Sequence, residues 1–253
     1  RSKSIESVYA DLGILYAGDF YMNLDIKTPA ERIKNILQLT EPAAIISTSI
    51  QIKSIAAVIP DSVKLILLDE LDTEMAIDGQ MLSNRRATVI DTDPSCIINT
   101  SGSTGTPKGV VLNHKSFFDF LDWAIETFRF GNDLVMGSLS PIVFDIYSFE
   151  LCMLMAKAST LVVLPAHLAA FPAKILEVLE KHQVNFLFWV PTIMVNIANM
   201  DLLSAFKLES LRTVWFAGEV FPTKQFNYWH HHLPKVVFAN LYGPIEITLD
   251  CKI

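Results

Sequence analysis

The sequence predicts an α/β fold in which layered sheets are flanked by helices. Two observations support this prediction. Short apolar runs of strand length alternate with segments whose apolar residues recur at helical spacing. Hydrophobic residues make up 51% of the 253 residues, which is enough to fill a sizeable core. The predicted strands lie at residues 43–47, 63–68, 95–100, 109–113, 134–138, 160–164, 185–190, 211–217 and 236–241.

Helices are predicted between these runs. The chain begins with one: Ile5, Val8, Tyr9, Leu12 and Leu15 or Tyr16 fall on a single helical face. A second helix should start after Asn113, which is a good N-cap residue. Two further helices are expected at residues 173–182 and 192–200, and the polar stretch 69–94 is expected to be a mobile connection between two sheet layers.

Composition excludes several classes of partner. The net charge is −7 with both signs interspersed, so neither nucleic acid nor an anionic membrane is expected as a partner. The longest apolar stretch, Leu151 to Leu164, is short for a membrane span and contains Lys157. The three cysteines form no CxxC pair, and the N-terminus does not resemble a signal peptide. These features predict a protein of the reducing cytoplasm that acts on metabolites or other proteins.

Residues 99–109 form a glycine-rich loop between two predicted strands, with the sequence Asn-Thr-Ser-Gly-Ser-Thr-Gly-Thr-Pro-Lys-Gly. Glycines let the backbone approach phosphate oxygens, hydroxyls donate hydrogen bonds, and a lysine neutralises phosphate charge. The loop is not a Walker motif, because Lys108 is followed by Gly109 and a strand. Its predicted phosphate ligands are Thr100, Ser101, Gly102, Ser103, Thr104, Gly105, Thr106 and Lys108.

This loop resembles the phosphate loop of the adenylate-forming enzymes, which include acyl-CoA synthetases, luciferases and amino-acid adenylation domains. Two further blocks, at 17–25 before the loop and at 242–246 after it, stand in the family's order, so the resemblance covers nearly the whole chain. The resemblance implies that residues 1–253 are the core of the large N-terminal domain, without its start and without the small C-terminal domain. It also implies ATP and Mg²⁺ as cofactors, an amino acid as substrate and a phosphopantetheinylated carrier protein as partner.

Asp145 lies in the run Phe-Asp-Ile-Tyr-Ser-Phe-Glu at 144–150. An aspartate before an apolar helical pattern is often an N-cap. The run also resembles the Phe-Asp-x-Ser-x-x-Glu block of amino-acid adenylation domains, in which the aspartate pairs with the α-ammonium group of the substrate. Tyr147 and Ser148 are displaced from the usual order of that block. Both roles for Asp145 remain open from the sequence.

Two strand ends that run into glycine supply the remaining nucleotide contacts, because ligands of open α/β sheets collect at the carboxyl ends of strands. The resemblance places Gly218 and Glu219 beside adenine, Asn240 at its amine and Tyr242 on its ring. It makes Glu246 the Mg²⁺ ligand and, with Thr104 and Lys108, a catalytic residue. Leu241, Gly243 and Ile245 complete the predicted nucleotide site.

The resemblance also implies the positions that line the amino-acid pocket. The bulk of Phe149, Phe188 and Trp215 predicts a small pocket, and Asp250 offers an acceptor for a hydroxyl or a cation. Serine or alanine is the expected substrate. The predicted lining residues are Asp145, Ile146, Phe149, Phe188, Trp215, Ala217, Leu241, Leu249 and Asp250.

The chain departs from the family pattern at two further positions. Asn99 stands where the family often has an aromatic or aliphatic residue, and Ile245 replaces a threonine whose hydroxyl contacts the α-phosphate. Losing such a donor can lower the rate by a factor on the order of a hundred. Two other functions stay open: carboxylate activation like that of acyl-CoA synthetases, and nucleotide binding without catalysis.

Overall fold

The chain forms three sheets in the computed structural model, which describes residues 3–25, 27–72, 76–100 and 108–250. One sheet has the order β1-β4-β5, a second pairs β2 with β3 in parallel, and the third is parallel with the order β10-β9-β8-β6-β7. The strands are β1 (Tyr21–Met22), β2 (Ala44–Ser47), β3 (Lys64–Leu67), β4 (Pro94–Thr100), β5 (Lys108–Asn113), β6 (Val135–Ser138), β7 (Thr160–Val163), β8 (Phe186–Trp189), β9 (Thr213–Phe216) and β10 (Val237–Asn240).

Every strand predicted from the sequence is present in the described residues, within two residues of the predicted ends. The prediction of an α/β fold with layered sheets is therefore confirmed. The sequence did not predict β1, which has only two residues and is defined by its parallel pairing of Tyr21 with Cys96 and Met22 with Ile97.

The helices begin where the sequence supplies a start signal. Asn113 accepts a hydrogen bond from the backbone N of Ser116 at 2.9 Å and caps α5, as predicted. Proline occupies the first position of α7 and of α8, where its missing N–H costs nothing. The helices are α1 (Ile5–Tyr16), α2 (Ala30–Thr40), α3 (Ser49–Ile52), α4 (Gly79–Arg86), α5 (His114–Phe128), α6 (Asp145–Lys157), α7 (Pro172–Lys181), α8 (Pro191–Asn199) and α9 (Thr223–His232).

The five-stranded sheet is buried on both faces, because alternate residues of its strands pack into two different cores. In β8, Phe186 and Phe188 join the core that contains α5 and α6, whereas Leu187 and Trp189 join the core that contains α7, α8 and α9. A strand covered on both sides needs a continuous apolar run, and all four residues of β8 are buried.

The strand order of this sheet reverses at β6. The chain passes from β6 to β7 on one side and then returns to β8 on the other side of β6. In parallel α/β sheets, ligands bind outside the carboxyl ends of the strands near such a reversal. The segments that follow β6, β8, β9 and β10 therefore mark the expected site.

Residues 69–94 connect the two-stranded sheet to the β1-β4-β5 sheet, as predicted. The stretch contains α4, which the sequence analysis did not predict because its two apolar residues, Met81 and Leu82, are adjacent and show no helical spacing. Arg85 forms an ion pair with Asp19 at 3.2 Å, and the Arg86 guanidinium lies 4.1 Å from the centre of the Tyr16 ring. Within the described ranges, none of the helices has the length and apolar character needed to cross a bilayer.

Candidate functional site

The glycine-rich loop connects β4 to β5. These two strands pair in antiparallel fashion up to Thr100 and Lys108, and the Thr100 hydroxyl donates to the Lys108 carbonyl at 3.4 Å. Both ends of the predicted loop are thus held side by side, and Lys108 is exposed. The other predicted phosphate ligands, Ser101, Gly102, Ser103, Thr104, Gly105 and Thr106, lie outside the described residues.

The chain turns sharply after β9. Gly218 has a φ of 83°, a left-handed conformation that glycine adopts without strain. Glu219 follows at the surface, and its carboxylate accepts hydrogen bonds from the hydroxyl of Thr192 and from the Thr192 backbone N at 3.0 Å. Thr192 lies in the first turn of α8, so Glu219 joins the end of β9 to the start of that helix.

The chain after β10 runs from the buried Leu241 to the exposed Tyr242 and then through Gly243 into a short helical turn at Ile245–Ile247. Asn240 is exposed at the strand end. Ile245 packs against the core that contains α5 and α6, so it makes an apolar contact where a threonine would offer a hydroxyl.

Glu246 is exposed on the same turn. Among the described residues no group of three or more His, Cys, Asp and Glu residues can hold a metal ion. A lone accessible carboxylate still fits Mg²⁺, which usually keeps several waters and binds through one or two carboxylates together with substrate phosphates.

Asp145 and Asp250 lie close enough to interact electrostatically. Asp145 is the first residue of α6 and not its N-cap, and its carboxylate accepts a hydrogen bond from the Ile146 backbone N at 3.0 Å. Burial raises the pKa of Asp145, an effect that the Ile146 and Leu249 amides partly offset. Burial, and secondly the charge of Asp145, raises the pKa of Asp250 to about 7. In the described ranges neither carboxylate forms an ion pair.

Three of the predicted pocket residues form a cluster of aromatic rings. Trp215 is fully buried, and the ring centres of Phe149 and Phe188 lie 5.3 and 5.5 Å from its own. Phe149 is one helical turn beyond Asp145, so both share a face of α6. Four other predicted pocket residues, Ile146, Ala217, Leu241 and Leu249, are buried in the same core.

The indole N–H of Trp215 has no hydrogen-bond acceptor among the described residues. The other fully buried tryptophans are paired: Trp189 donates to the Gly137 carbonyl at 2.8 Å, and Trp229 donates to the Met194 carbonyl at 2.9 Å. Unpaired buried donors are rare in folded proteins and cost roughly 1–3 kcal/mol each. Among the fully buried tryptophans of the described residues, the unpaired one occupies a predicted substrate-pocket position.

Comparison with known proteins identifies the family. The profile of the family described as AMP-binding enzyme matches residues 2–253. The chain belongs to the AMP-binding enzyme family.

Several curated relatives of this AMP-binding enzyme carry named activities. The dimodular nonribosomal peptide synthase of Bacillus subtilis is 31% identical over 249 residues, which span 98% of this chain and 10% of that protein. The L-proline–[L-prolyl-carrier protein] ligase of Pseudomonas fluorescens is 27% identical, with coverage of 98% and 50%. The D-alanine–D-alanyl carrier protein ligase of Bacillus cytotoxicus is 27% identical, with coverage of 96% and 47%. The chain thus spans half or less of the length of these ligases and synthases.

A solved structure agrees on the fold. The nonribosomal peptide synthetase FmoA3, in its form with α-methyl-L-serine-AMP bound, superposes with a TM-score of 0.85 at 23% identity. The match covers 98% of this chain and 27% of that one. The expected N-terminal adenylate-forming architecture is therefore confirmed.

Sequence reasoning missed the buried polar contacts of this AMP-binding enzyme. Glu150 lies fully buried in α6 and pairs with Lys3, 147 positions away along the chain. A charged residue within the apolar run of α6 is a signal that a buried partner must exist. The sequence offers no means of identifying that partner.

Two smaller groups of reactive side chains have structural explanations. Cys96 and Cys152 are buried and free, and burial raises the pKa of each thiol to about 12, which makes both unreactive. His230, His231 and His232 end α9, and His232 contacts the Tyr228 carbonyl through Nδ1 at 2.9 Å. The position of this histidine run at the end of α9 is explained by a structural role.

Proposed function

We propose that the chain is the nucleotide- and substrate-binding core of an enzyme that activates an amino acid as aminoacyl-AMP and releases pyrophosphate. The aminoacyl group then passes to the phosphopantetheine thiol of a carrier protein, and AMP leaves. One observation carries the proposal: Asp145, at the carboxyl edge of a parallel sheet, is a half-buried carboxylate without an ion-pair partner in the described residues. An α-ammonium group would supply the missing positive charge.

The reaction is a displacement at the α-phosphorus of ATP. An oxygen of the substrate carboxylate attacks the phosphorus, the bond to the bridging oxygen breaks, and pyrophosphate leaves with that electron pair. The carboxylate is already ionised, so no general base is needed. Catalysis consists of positioning the reactants and stabilising charge.

The residues named from the sequence divide these tasks. Lys108 and the loop hydroxyls, Thr104 among them, would stabilise the phosphates. Glu246 would hold Mg²⁺, which when bound neutralises phosphate charge. Gly218, Asn240 and Tyr242 would form the adenine side of the site. Asp145 would orient the amino acid so that its carboxylate faces the α-phosphorus.

The pocket favours a small substrate with a hydroxyl group. Phe149, Phe188 and Trp215 leave little volume for a large side chain. A hydroxyl on the substrate would donate a hydrogen bond to Asp250, whereas a methyl group would leave this carboxylate without that contact. Serine is therefore the proposed substrate, and alanine is the nearest competitor.

The test is amino-acid-dependent exchange of labelled pyrophosphate into ATP by the full-length protein, across the common amino acids. We expect exchange with serine that is lost in Asp145→Asn and Lys108→Ala and retained in the matched control Asp61→Asn, which alters an exposed carboxylate. Exchange driven only by carboxylates without an amino group would favour an acyl-CoA synthetase-like enzyme. ATP binding without any exchange would favour a non-catalytic nucleotide-binding protein.

A further inference from the structure

The N-terminal residues make buried contacts with the segment of the chain that carries Asp145. Residues 3–23 make two clusters of buried polar contacts with residues 138–150, which comprise the end of β6, the connection to α6 and the first turns of that helix. Asp145 itself belongs to neither cluster. It lies between their points of attachment.

The first cluster is centred on Asp11 of α1. Its Oδ2 accepts hydrogen bonds from the Tyr147 hydroxyl at 2.9 Å and from Asn23 Nδ2 at 2.8 Å. Asn23 Nδ2 also donates to the Ile142 carbonyl at 3.2 Å. Asp11 and Tyr147 are both buried. The cluster thus ties α1 to the connection before Asp145 and to the helix after it.

The second cluster is centred on the buried ion pair of Lys3 and Glu150. Lys3 Nζ lies 3.2 Å from Glu150 Oε2 and donates to the Ser140 carbonyl at 2.7 Å. Ser138 also donates to Glu150. Burial lowers the pKa of Lys3 and raises that of Glu150, and each partner offsets part of the effect on the other. Lys3 Nζ also lies 5.2 Å from the centre of the Tyr147 ring, which links the two clusters.

These contacts bracket Asp145 on both sides. Before Asp145 in the chain, Ser140 and Ile142 accept hydrogen bonds through their backbone carbonyls. After Asp145, Tyr147 and Glu150 make their contacts through their side chains. The start of α6 has no side-chain cap, so local sequence contributes little to fixing where the helix begins. Buried hydrogen bonds to charged groups are costly to break, which makes this attachment rigid.

The clusters also account for the displaced order of the 144–150 run. Tyr147 occupies the position at which the Phe-Asp-x-Ser-x-x-Glu block has serine, and its hydroxyl reaches Asp11. Ser148 accepts instead from the Tyr21 hydroxyl at 2.9 Å. The helix is continuous from Asp145 to Lys157, so the substitution changes the partners and not the helical register.

We propose that Asp11, Asn23 and Tyr147 are positioning residues that fix the Asp145 carboxylate for the substrate ammonium group, assisted by Lys3 and Glu150. This inference rests on the proposed function. It implies that substitutions of these positioning residues weaken recognition of the amino acid. Recognition of ATP should stay intact, because the glycine-rich loop is carried by β4 and β5.

The experiment compares Tyr147→Phe with Tyr228→Phe in the full-length protein. Both changes remove one hydroxyl that contacts an aspartate at 2.9 Å, but Tyr228 lies on α9 and bonds to Asp201. We expect Tyr147→Phe to raise the KM for the amino acid roughly tenfold, because a misplaced Asp145 carboxylate binds the substrate ammonium group less tightly and a loss of about 1.4 kcal/mol in binding is tenfold. The KM for ATP should stay unchanged, and Tyr228→Phe should alter neither constant.

A second variant distinguishes the positioning role from a folding defect. Asp11→Asn keeps the shape and one acceptor oxygen but removes the charge, so a smaller rise in the same KM is expected. Equal increases in both KM values, or a lower melting temperature with both KM values unchanged, would show a purely structural role and overturn the proposal.

Hydrogen exchange makes the test independent of the proposed function. We expect the amides of residues 139–150 to exchange faster in Tyr147→Phe than in the wild type, with no change in Tyr228→Phe. If the wild type activates no amino acid, the proposed function fails while this result still reports on the attachment. Unchanged exchange over residues 139–150 would refute the positioning role itself.

Discussion

Replacing Asp250 with asparagine should stabilise the protein at high pH and have no effect at low pH. The pKa of Asp250 is raised to about 7 from an ordinary value of 3.8, first by burial and then by the charge of Asp145. Between these two values the folded state binds a proton that the unfolded state releases, so stability falls as the pH rises through this window. Above about pH 7 the folded protein contains an unfavourable carboxylate.

The size of the effect follows from the shift. Each pKa unit corresponds to about 1.4 kcal/mol, so a fully shielded group would destabilise the fold by about 4 kcal/mol at pH 8. Asp250 is only partly buried, and solvent screening reduces this to about 1–2 kcal/mol. Asparagine has the same shape without the charge. For a chain of this size we expect a rise in melting temperature of roughly 2–8 °C at pH 8.

The assay is thermal unfolding of the wild type and of Asp250→Asn at pH 4 and pH 8. The exposed Asp61→Asn serves as the control and should shift neither midpoint. Equal shifts at the two pH values would mean that packing and not ionisation is responsible. A lower midpoint for Asp250→Asn at pH 8 would refute the electrostatic reasoning outright.

Three further predictions concern single side chains. Ile245→Thr should raise the pyrophosphate exchange rate, by up to a factor on the order of a hundred, because it supplies a donor near the α-phosphate; a slower exchange would show that the apolar contact matters more. Gly137→Ala should destabilise the fold by about 1–3 kcal/mol in urea titrations, because the added Cβ would lie 2.7 Å from Leu187 Cδ2 in a closely packed core; an unchanged midpoint would mean that the core relaxes freely. Gly218→Ala should cost about 1–2 kcal/mol through backbone strain alone, since φ is 83° and the nearest atom to the new Cβ is 3.9 Å away; a neutral result in the same titration would contradict this.

The strands were predictable because most are continuous apolar runs between polar or glycine-containing segments. Such a run is what a strand of a doubly covered sheet requires, and β8 with Phe186 to Trp189 is the clearest case. The two residues of β1 are too few to show a period, and the two apolar residues of α4 are adjacent and show no helical spacing. Neither element carries the hydrophobic pattern on which sequence reasoning depends.

The candidate site was only partly predictable. Glycines, hydroxyls and a lysine reveal a phosphate loop through their chemistry, and family resemblance supplied the pocket positions. The proximity of Asp145 to Asp250 and the unpaired N–H of Trp215 depend on how distant segments pack. Local patterns carry no information about such pairs, as the contact between Lys3 and Glu150 also shows.

The most direct test of the proposed function is whether activation requires the α-amino group. We would measure pyrophosphate exchange with serine and with 3-hydroxypropanoate, its analogue without the amino group, in the wild type and in Asp145→Asn. The proposed function predicts exchange with serine alone in the wild type, and loss of the preference for serine in Asp145→Asn. Equal exchange with both compounds in the wild type would contradict the role of Asp145 and the assignment of an amino acid as substrate.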